Sequence, residues 1–304
     1  MTLLVALVLG VVQGVFMFVP VSSTSHLVLT QTLMRERGLD LPAPDSPEMI
    51  LFDLVVHVGT LVSVVIVMGD GLKELWHGVR DEAGRGALRR GGPGLGVGLA
   101  DATSTRLVLL MLVSVATTGV LGLAFQDLLA RVFASPALVA VALLVTGALL
   151  WWTDAMTPER SGRRLRFAWR GPAQVTLTVA LLIGAAQAVA LAPGISRSGT
   201  TIFAALVLGM QRTLAARYSF YVAIPTIVAA TGVQTVQVWL DAGFHEISWA
   251  AMATGFVTAA AVGTLALWLV LRLLESARFR VFSVYVWILA VTVLVTGLGA
   301  RPPV

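Results

Sequence analysis

No cysteine occurs among the 304 residues, which excludes disulfides, thiolate metal ligands and a cysteine nucleophile. Charge is nearly as scarce. Asp, Glu, Lys and Arg together make 12% of the chain, against about 25% for an ordinary soluble domain. No stripe of Lys and Arg with interleaved aromatics appears, so the net charge of +5 does not point to nucleic acid. In a membrane protein an excess of that kind marks topology instead. What the chain has in quantity is apolar: 57% hydrophobic residues and a mean hydropathy of +0.89. Apolar runs near or above the ~20 residues needed to cross hydrocarbon fall at 50–69, 106–125, 134–153, 174–192, 217–239, 249–271 and 281–299. The chain therefore reads as an all-α polytopic membrane protein and a single membrane domain over 1–304, because lipid leaves no other way to satisfy so many backbone groups. Its first apolar run lacks a basic n-region and a small-residue cleavage site, and is read as retained structure rather than a signal peptide.

Sixteen of the 21 Lys and Arg lie in four stretches, 70–106, 154–172, 211–217 and 271–280. The positive-inside rule makes these cytoplasmic, with 35–48, 126–133, 240–248 and the C-terminus on the other side. Six runs then cross fully: 50–69, 106–125, 134–153, 217–239, 249–271 and 281–299. Two regions do not fit as spans. Residues 3–33 break at Pro20, and 174–210 break at Pro193-Gly194, so both read as re-entrant hairpins entering from opposite faces. "GVVQGVFMFVPVSSTSH" (10–26) and "GAAQAVALAPGISRSGTT" (184–201) share a Gly, a Gln three residues later, then Pro and a Ser cluster. That makes an inverted repeat of about 1–153 and 174–299, with a site expected where its two halves meet.

Arg197, in "PGISRSGTT", is the only Lys or Arg away from a loop or helix end in this topology. An Arg at membrane depth costs at least ~2.5 kcal/mol, so a functional role is the first expectation. Gly194 and Gly199 allow tight turns, while Ser196, Ser198, Thr200 and Thr201 add donors at a helix start, a setting suited to phosphate. The competing, purely structural reading pairs Arg197 with Asp53. His26, three residues after Ser23, is within reach of a hydroxyl and titrates near neutral pH, although a lone His on an apolar face is more often a packing residue. Asp53 is the only carboxylate inside an apolar run, with His57 one turn later on the same helix face. Three roles are open to it: orienting His26, pairing with Arg197, or capping the span. His77 and His245 read as solvated loop residues.

Over nearly its whole length the chain resembles the undecaprenyl-pyrophosphate phosphatase family, the bacitracin-resistance proteins of bacterial inner membranes. The residues that carry the likeness are "LGVVQGVFMFVPVSSTSH", "PGISRSGTT" and "RYSFYVAIP" (217–225). The resemblance implies an inverted-repeat fold with re-entrant helices, a site facing the periplasm, and hydrolysis of undecaprenyl pyrophosphate to the monophosphate carrier used in cell-wall synthesis. It implies Ser23 as nucleophile, His26 as its assistant, and Ser196, Arg197 and Thr201 as phosphate holders. Ser22, Ser198, Gly194 and Gln13 join them as binding residues, with Asp53 and His57 in support. A divalent cation, Mg or Ca, is implied as cofactor, and a homodimer is open.

One position departs. The family's first motif carries Glu or Gln and then Glu four residues on, whereas this chain has Gln13 and Met17. A thioether is a poor ligand for a hard cation and cannot carry a proton. Either Asp53 substitutes, or the chain is a slow or non-hydrolytic relative. A polyprenyl-phosphate transporter or flippase, which needs a phosphate nest but no nucleophile, is thus the rival to the phosphatase reading.

Overall fold

The computed structural model describes residues 1–43, 46–90, 103–133, 135–155, 175–241, 247–275 and 279–296. The protein is all-α, with eleven helices and no β-strand among the described residues. In chain order these are α1 (Leu3–Phe18), α2 (Ser23–Glu36), α3 (Pro47–Arg90), α4 (Thr103–Ala124), α5 (Gln126–Phe133) and α6 (Pro136–Ala155). They are followed by α7 (Leu177–Val189), α8 (Arg197–Val207), α9 (Arg212–Asp241), α10 (Trp249–Glu275) and α11 (Phe279–Thr296). Six of them, α3, α4, α6, α9, α10 and α11, are long and apolar enough to cross a membrane, the same six that the hydropathy pattern picks out. The chain is a multi-pass membrane protein.

Two expectations shift. The span expected at 50–69 is only part of α3, which runs unbroken for 44 residues, roughly 66 Å. Residues 73–90, "KELWHGVRDEAGRGALRR", are rich in Leu, Glu, Arg and Ala, which favour helix after the apolar run has ended. His77 accordingly sits on a helix rather than in a loop. The outer connection expected at 126–133 is the short helix α5. The basic stretch from 156 to 172, residues 91–102, and His245 lie outside the described residues.

Both anomalous regions form helix, break, helix: α1 and α2 around Pro20, α7 and α8 around Pro193-Gly194. Pro20 lacks an N–H and its ring would clash with the carbonyl one turn back, so α1 stops at Phe18 and Val19 turns extended, with φ −62° and ψ 130°. The two hairpins open on matching sequence, "TLLVALVLGVVQ" (2–13) and "TLTVALLIGAAQ" (176–187), identical at seven of twelve positions. Thr2 and Thr176 cap their helices alike, each accepting from the backbone N–H three residues on at 3.3 Å. Gln13 and Gln187 are both fully buried.

Packing follows small residues. α1 lies against α10 and α3, α7 against α4, and α6 against α11. A Cβ on Gly10 would stand 2.8 Å from the Gly255 carbonyl oxygen, and one on Gly184 2.5 Å from that of Ser114. Small residues at such crossings let backbones approach where lipid offers no hydrophobic drive. Phe18 of α1 meets Phe220 of α9 edge-on at 6.0 Å, and the Tyr218 hydroxyl of α9 bonds Ser114 Oγ of α4 at 3.0 Å.

Gly184→Ala and Gly10→Ala each push a methyl into backbone and should lose about 1–3 kcal/mol of stability. Gly119→Ala, where nothing lies within 4 Å, should not. Thermal midpoints of the detergent-solubilised variants check this.

Candidate functional site

The two breaks meet. After Pro20 the chain places Ser22 in the left-handed region, φ 69°, the one non-glycine residue with positive φ among those described. That turn aims the Ser22 hydroxyl across at the second break, where Oγ accepts the Gly194 N–H at 3.1 Å. Gly194 has φ 93°, a conformation open to glycine at no steric cost. Its carbonyl accepts Thr146 Oγ1 at 2.7 Å, and the same Thr146 oxygen accepts the Ser196 N–H at 3.0 Å, so α6 clamps the second break from behind. Ser196 then caps α8, its hydroxyl taking the Gly199 N–H at 3.2 Å. The cap sets Arg197 at the head of the helix.

Met17, buried near the end of α1, is where these parts converge. Its sulfur lies 3.4 Å from Gln13 Nε2, 3.9 Å from Ser23 Oγ and 3.8 Å from Arg197 Nη2. Arg197 Nη1 is buried and makes no hydrogen bond, and no carboxylate pairs with the guanidinium among the described residues. An open cavity of about 220 Å³ lies in front of it, with Ser23, Ser196, Arg197, Ser198 and His57 forming its polar wall. Leu54, Leu191, Ile195 and Ile227 add an apolar side. A half-buried cationic fork that shares its cavity with several hydroxyls, beside an apolar wall, can hold a phosphate whose other end is a hydrocarbon chain.

Several expected partners sit elsewhere. His26 does not line the cavity. Its ring stacks on Phe16 at 3.8 Å between centroids, its Nδ1–H donates to the Ser22 carbonyl at 2.8 Å, and Nε2 meets the Tyr285 hydroxyl at 2.8 Å. With Nδ1 protonated, Nε2 of the neutral ring is the acceptor for Tyr285, so neither nitrogen faces Ser23. Asp53 takes none of the three roles open to it: it accepts from Gln31 Nε2 at 3.0 Å. The structural pairing of Asp53 with Arg197 is therefore absent. Thr201 faces inward, bonded to the Arg197 carbonyl and to Ser219. Gly194 acts through its backbone, and Gln13 reaches the site only through Met17, with its Oε1 buried and unpartnered. Sequence reasoning missed Tyr285 and Thr146. Tyr285 had a signal, being one of three tyrosines in the chain and a polar interruption of "FSVYVW".

The donor set does not fit a resident Mg or Ca ion. No group of three or more His, Asp or Glu that could hold a metal occurs among the described residues, and the cavity wall offers hydroxyls, a thioether, one imidazole, one amide and a guanidinium but no carboxylate. Hard cations want several oxygen ligands, carboxylates above all, and a neighbouring Arg repels them.

Residues 6–292 match the model of the family described as bacitracin resistance protein BacA. The chain is 47% identical over 296 residues to an undecaprenyl-diphosphatase of Halorhodospira halophila, covering 97% of each chain. To an undecaprenyl-diphosphatase of Alkalilimnicola ehrlichii it is 47% identical over 305 residues, 98% of this chain and 97% of that one. To one of Desulforapulum autotrophicum it is 35% identical over 302 residues, 99% and 100%.

Ser22→Ala removes the acceptor for the buried Gly194 N–H and should cost about 1–3 kcal/mol. Ser25→Ala, which loses only a 3.2 Å contact between hydroxyls, should cost less. The two thermal midpoints, compared in one detergent, test whether the link between the breaks holds the site together.

Proposed function

The chain belongs to the bacitracin resistance protein BacA family, and on that footing we propose that it is an integral membrane phosphatase of the bacterial inner membrane that hydrolyses undecaprenyl pyrophosphate. The observation that carries this reading is the half-buried Arg197, whose Nη1 is buried and unpartnered, with a serine hydroxyl sharing its cavity. A guanidinium kept from every carboxylate is suited to hold the terminal phosphate through two oxygens. Ser23 Oγ attacks that phosphorus, the new O–P bond forms, and the bridging P–O bond breaks so that undecaprenyl phosphate leaves. Water then attacks the phosphoserine and inorganic phosphate departs. Arg197, with the hydroxyls of Ser196 and Ser198, stabilises charge on the equatorial oxygens during both transfers. His26 acts as a positioning residue: it braces the Ser22 carbonyl, and with it the turn that presents Ser23. Release of the monophosphate carrier and phosphate would serve cell-wall synthesis and resistance to bacitracin.

The same reading gives the chain an inverted repeat with re-entrant hairpins and a site open to the non-cytoplasmic side. Exchanging the two halves carries the α1–α10 packing into α7–α4, and α3–α10 into α9–α4, while α6–α11 maps onto itself, which supports the repeat. The Lys and Arg distribution supports the orientation.

Phosphate release from purified protein supplied with undecaprenyl pyrophosphate tests the function, and binding of the monophosphate without any release would instead favour a carrier. Arg197→Lys replaces a planar fork by a point charge and should lose about 2–3 kcal/mol of phosphate contact, roughly 30- to 150-fold in affinity. Unchanged lipid-phosphate binding in that variant would make the Arg structural. Met17→Glu should raise the rate in Mg²⁺ and make it sensitive to chelator, because the new carboxylate sits beside Ser23 Oγ and the Gln13 oxygen. With chelator present the same variant should fall below the native rate, since its carboxylate then pairs with Arg197. A glutamate variant slower under both conditions counts against this account of position 17.

A further inference from the structure

The proposed hydrolysis needs a base for the Ser23 proton, and the cavity wall narrows the choice to one side chain. Of the residues lining it, only His57 and Arg197 are ionisable, and a guanidinium does not release its proton. The hydrogen-bond partner of Ser23 Oγ is the Met17 sulfur at 3.9 Å, not a carboxylate, and a thioether cannot take a proton. Asp53 is turned to Gln31, and both nitrogens of His26 are engaged.

His57 is held in the opposite condition. Its Nδ1 lies 2.6 Å from the Asp53 backbone carbonyl, one helical turn back on α3, and a carbonyl can only accept. The proton of the neutral ring is therefore on Nδ1, and Nε2 carries a free lone pair. Among the described residues Nε2 makes no hydrogen bond, while His57 lines the same cavity as Ser23. Resting on the phosphatase reading above, we propose that His57 Nε2 is the proton acceptor that activates Ser23.

As Ser23 Oγ bonds to phosphorus, its proton passes to His57 Nε2. The electron pair of the breaking P–O bond leaves on undecaprenyl phosphate, which collects that proton and restores the neutral ring. In the second transfer the attacking water gives its proton to Nε2, and the ring returns it to the departing Ser23 oxygen. The ring is a base only while neutral, so the rate falls on the acid side as it protonates. Arg197 on α8 is the one other charged group in the cavity wall, and Asp53 the one acid close by on α3. The lining residues of α1, α2 and α9 include no titratable side chain.

The experiment is the pH–rate profile of phosphate release by the purified full chain with undecaprenyl pyrophosphate, for the native protein, His57→Gln and His26→Gln. His57→Gln should lower kcat roughly 100-fold or more, with KM changed by less than a few-fold, and should abolish the acid limb. His26→Gln should keep that limb whatever its rate. Thermal midpoints confirm folding, and His57→Ala supplies a second readout, since added imidazole should restore part of its rate if the missing group is a base. A His57→Gln variant with native kcat and an intact acid limb, or a His57→Ala loss that imidazole leaves untouched, overturns the assignment while the phosphatase reading stands. A native protein that releases no phosphate overturns both.

Discussion

Two helices are interrupted in a chain with almost no polar surface, and every backbone group freed at the breaks needs a partner. The 3.1 Å hydrogen bond from the Gly194 N–H to Ser22 Oγ meets that need for one group of the second break and ties the two breaks together. In hydrocarbon an orphaned backbone group costs several kcal/mol, so irregular backbone survives only where protein or a polar cavity covers it. Ser22 reaches across because its own backbone sits at φ 69°, a conformation that costs a side-chain-bearing residue energy and that the surrounding bonds hold in place. Its carbonyl takes the His26 Nδ1–H, and Thr146 secures the far side of Gly194. The groups proposed to act on phosphate are thus by-products of the breaks: Ser23 starts one helix and Arg197 starts the other.

Arg197 shows how the protein handles a charge that it cannot hydrate freely. The usual remedy is a neighbouring carboxylate, yet the closest contact recorded for its guanidinium is the Met17 sulfur at 3.8 Å, and Nη1 is left without a partner. Buried, unpaired charge is strongly destabilising unless a ligand completes it. On the proposed reading, an anion in the cavity would supply the interactions that Nη1 lacks, and that gain would appear as affinity for phosphate.

Much of this was legible in the sequence because it depends on local composition. Six apolar runs give six spans, and Pro20 and Pro193-Gly194 mark the breaks. An Arg among serines away from any loop marks the cavity beside the breaks. The twelve-residue match that opens each hairpin, starting at Thr2 and Thr176, lay in plain view but was masked by the uniform apolarity of both segments. Rotamer-level facts were not legible. His26 is turned to Tyr285 by a partner 259 residues away, and Asp53 is claimed by Gln31 from another helix. Sequence spacing shows which side chains share a helix face, but not which neighbour that face meets. The length of α3 was misjudged for a different reason, since apolarity reports the membrane and not the helix.

The two histidines illustrate why a cavity is a better guide than a motif. Both belong to an i, i+4 arrangement in which Nδ1 bonds the backbone carbonyl one turn back, at 2.8 Å for His26 and 2.6 Å for His57. That shared bond sets the same tautomer in each and leaves Nε2 as the informative atom. For His26 it meets a tyrosine hydroxyl under an aromatic stack, which orients the ring and consumes its lone pair. For His57 it makes no hydrogen bond among the described residues, and the residue lines the cavity. Seen this way, Met17 is compatible with a hydrolytic site. A carboxylate at that position would sit within reach of Arg197 and compete with phosphate for it, whereas a thioether leaves the guanidinium to the substrate and the proton to a base on another helix.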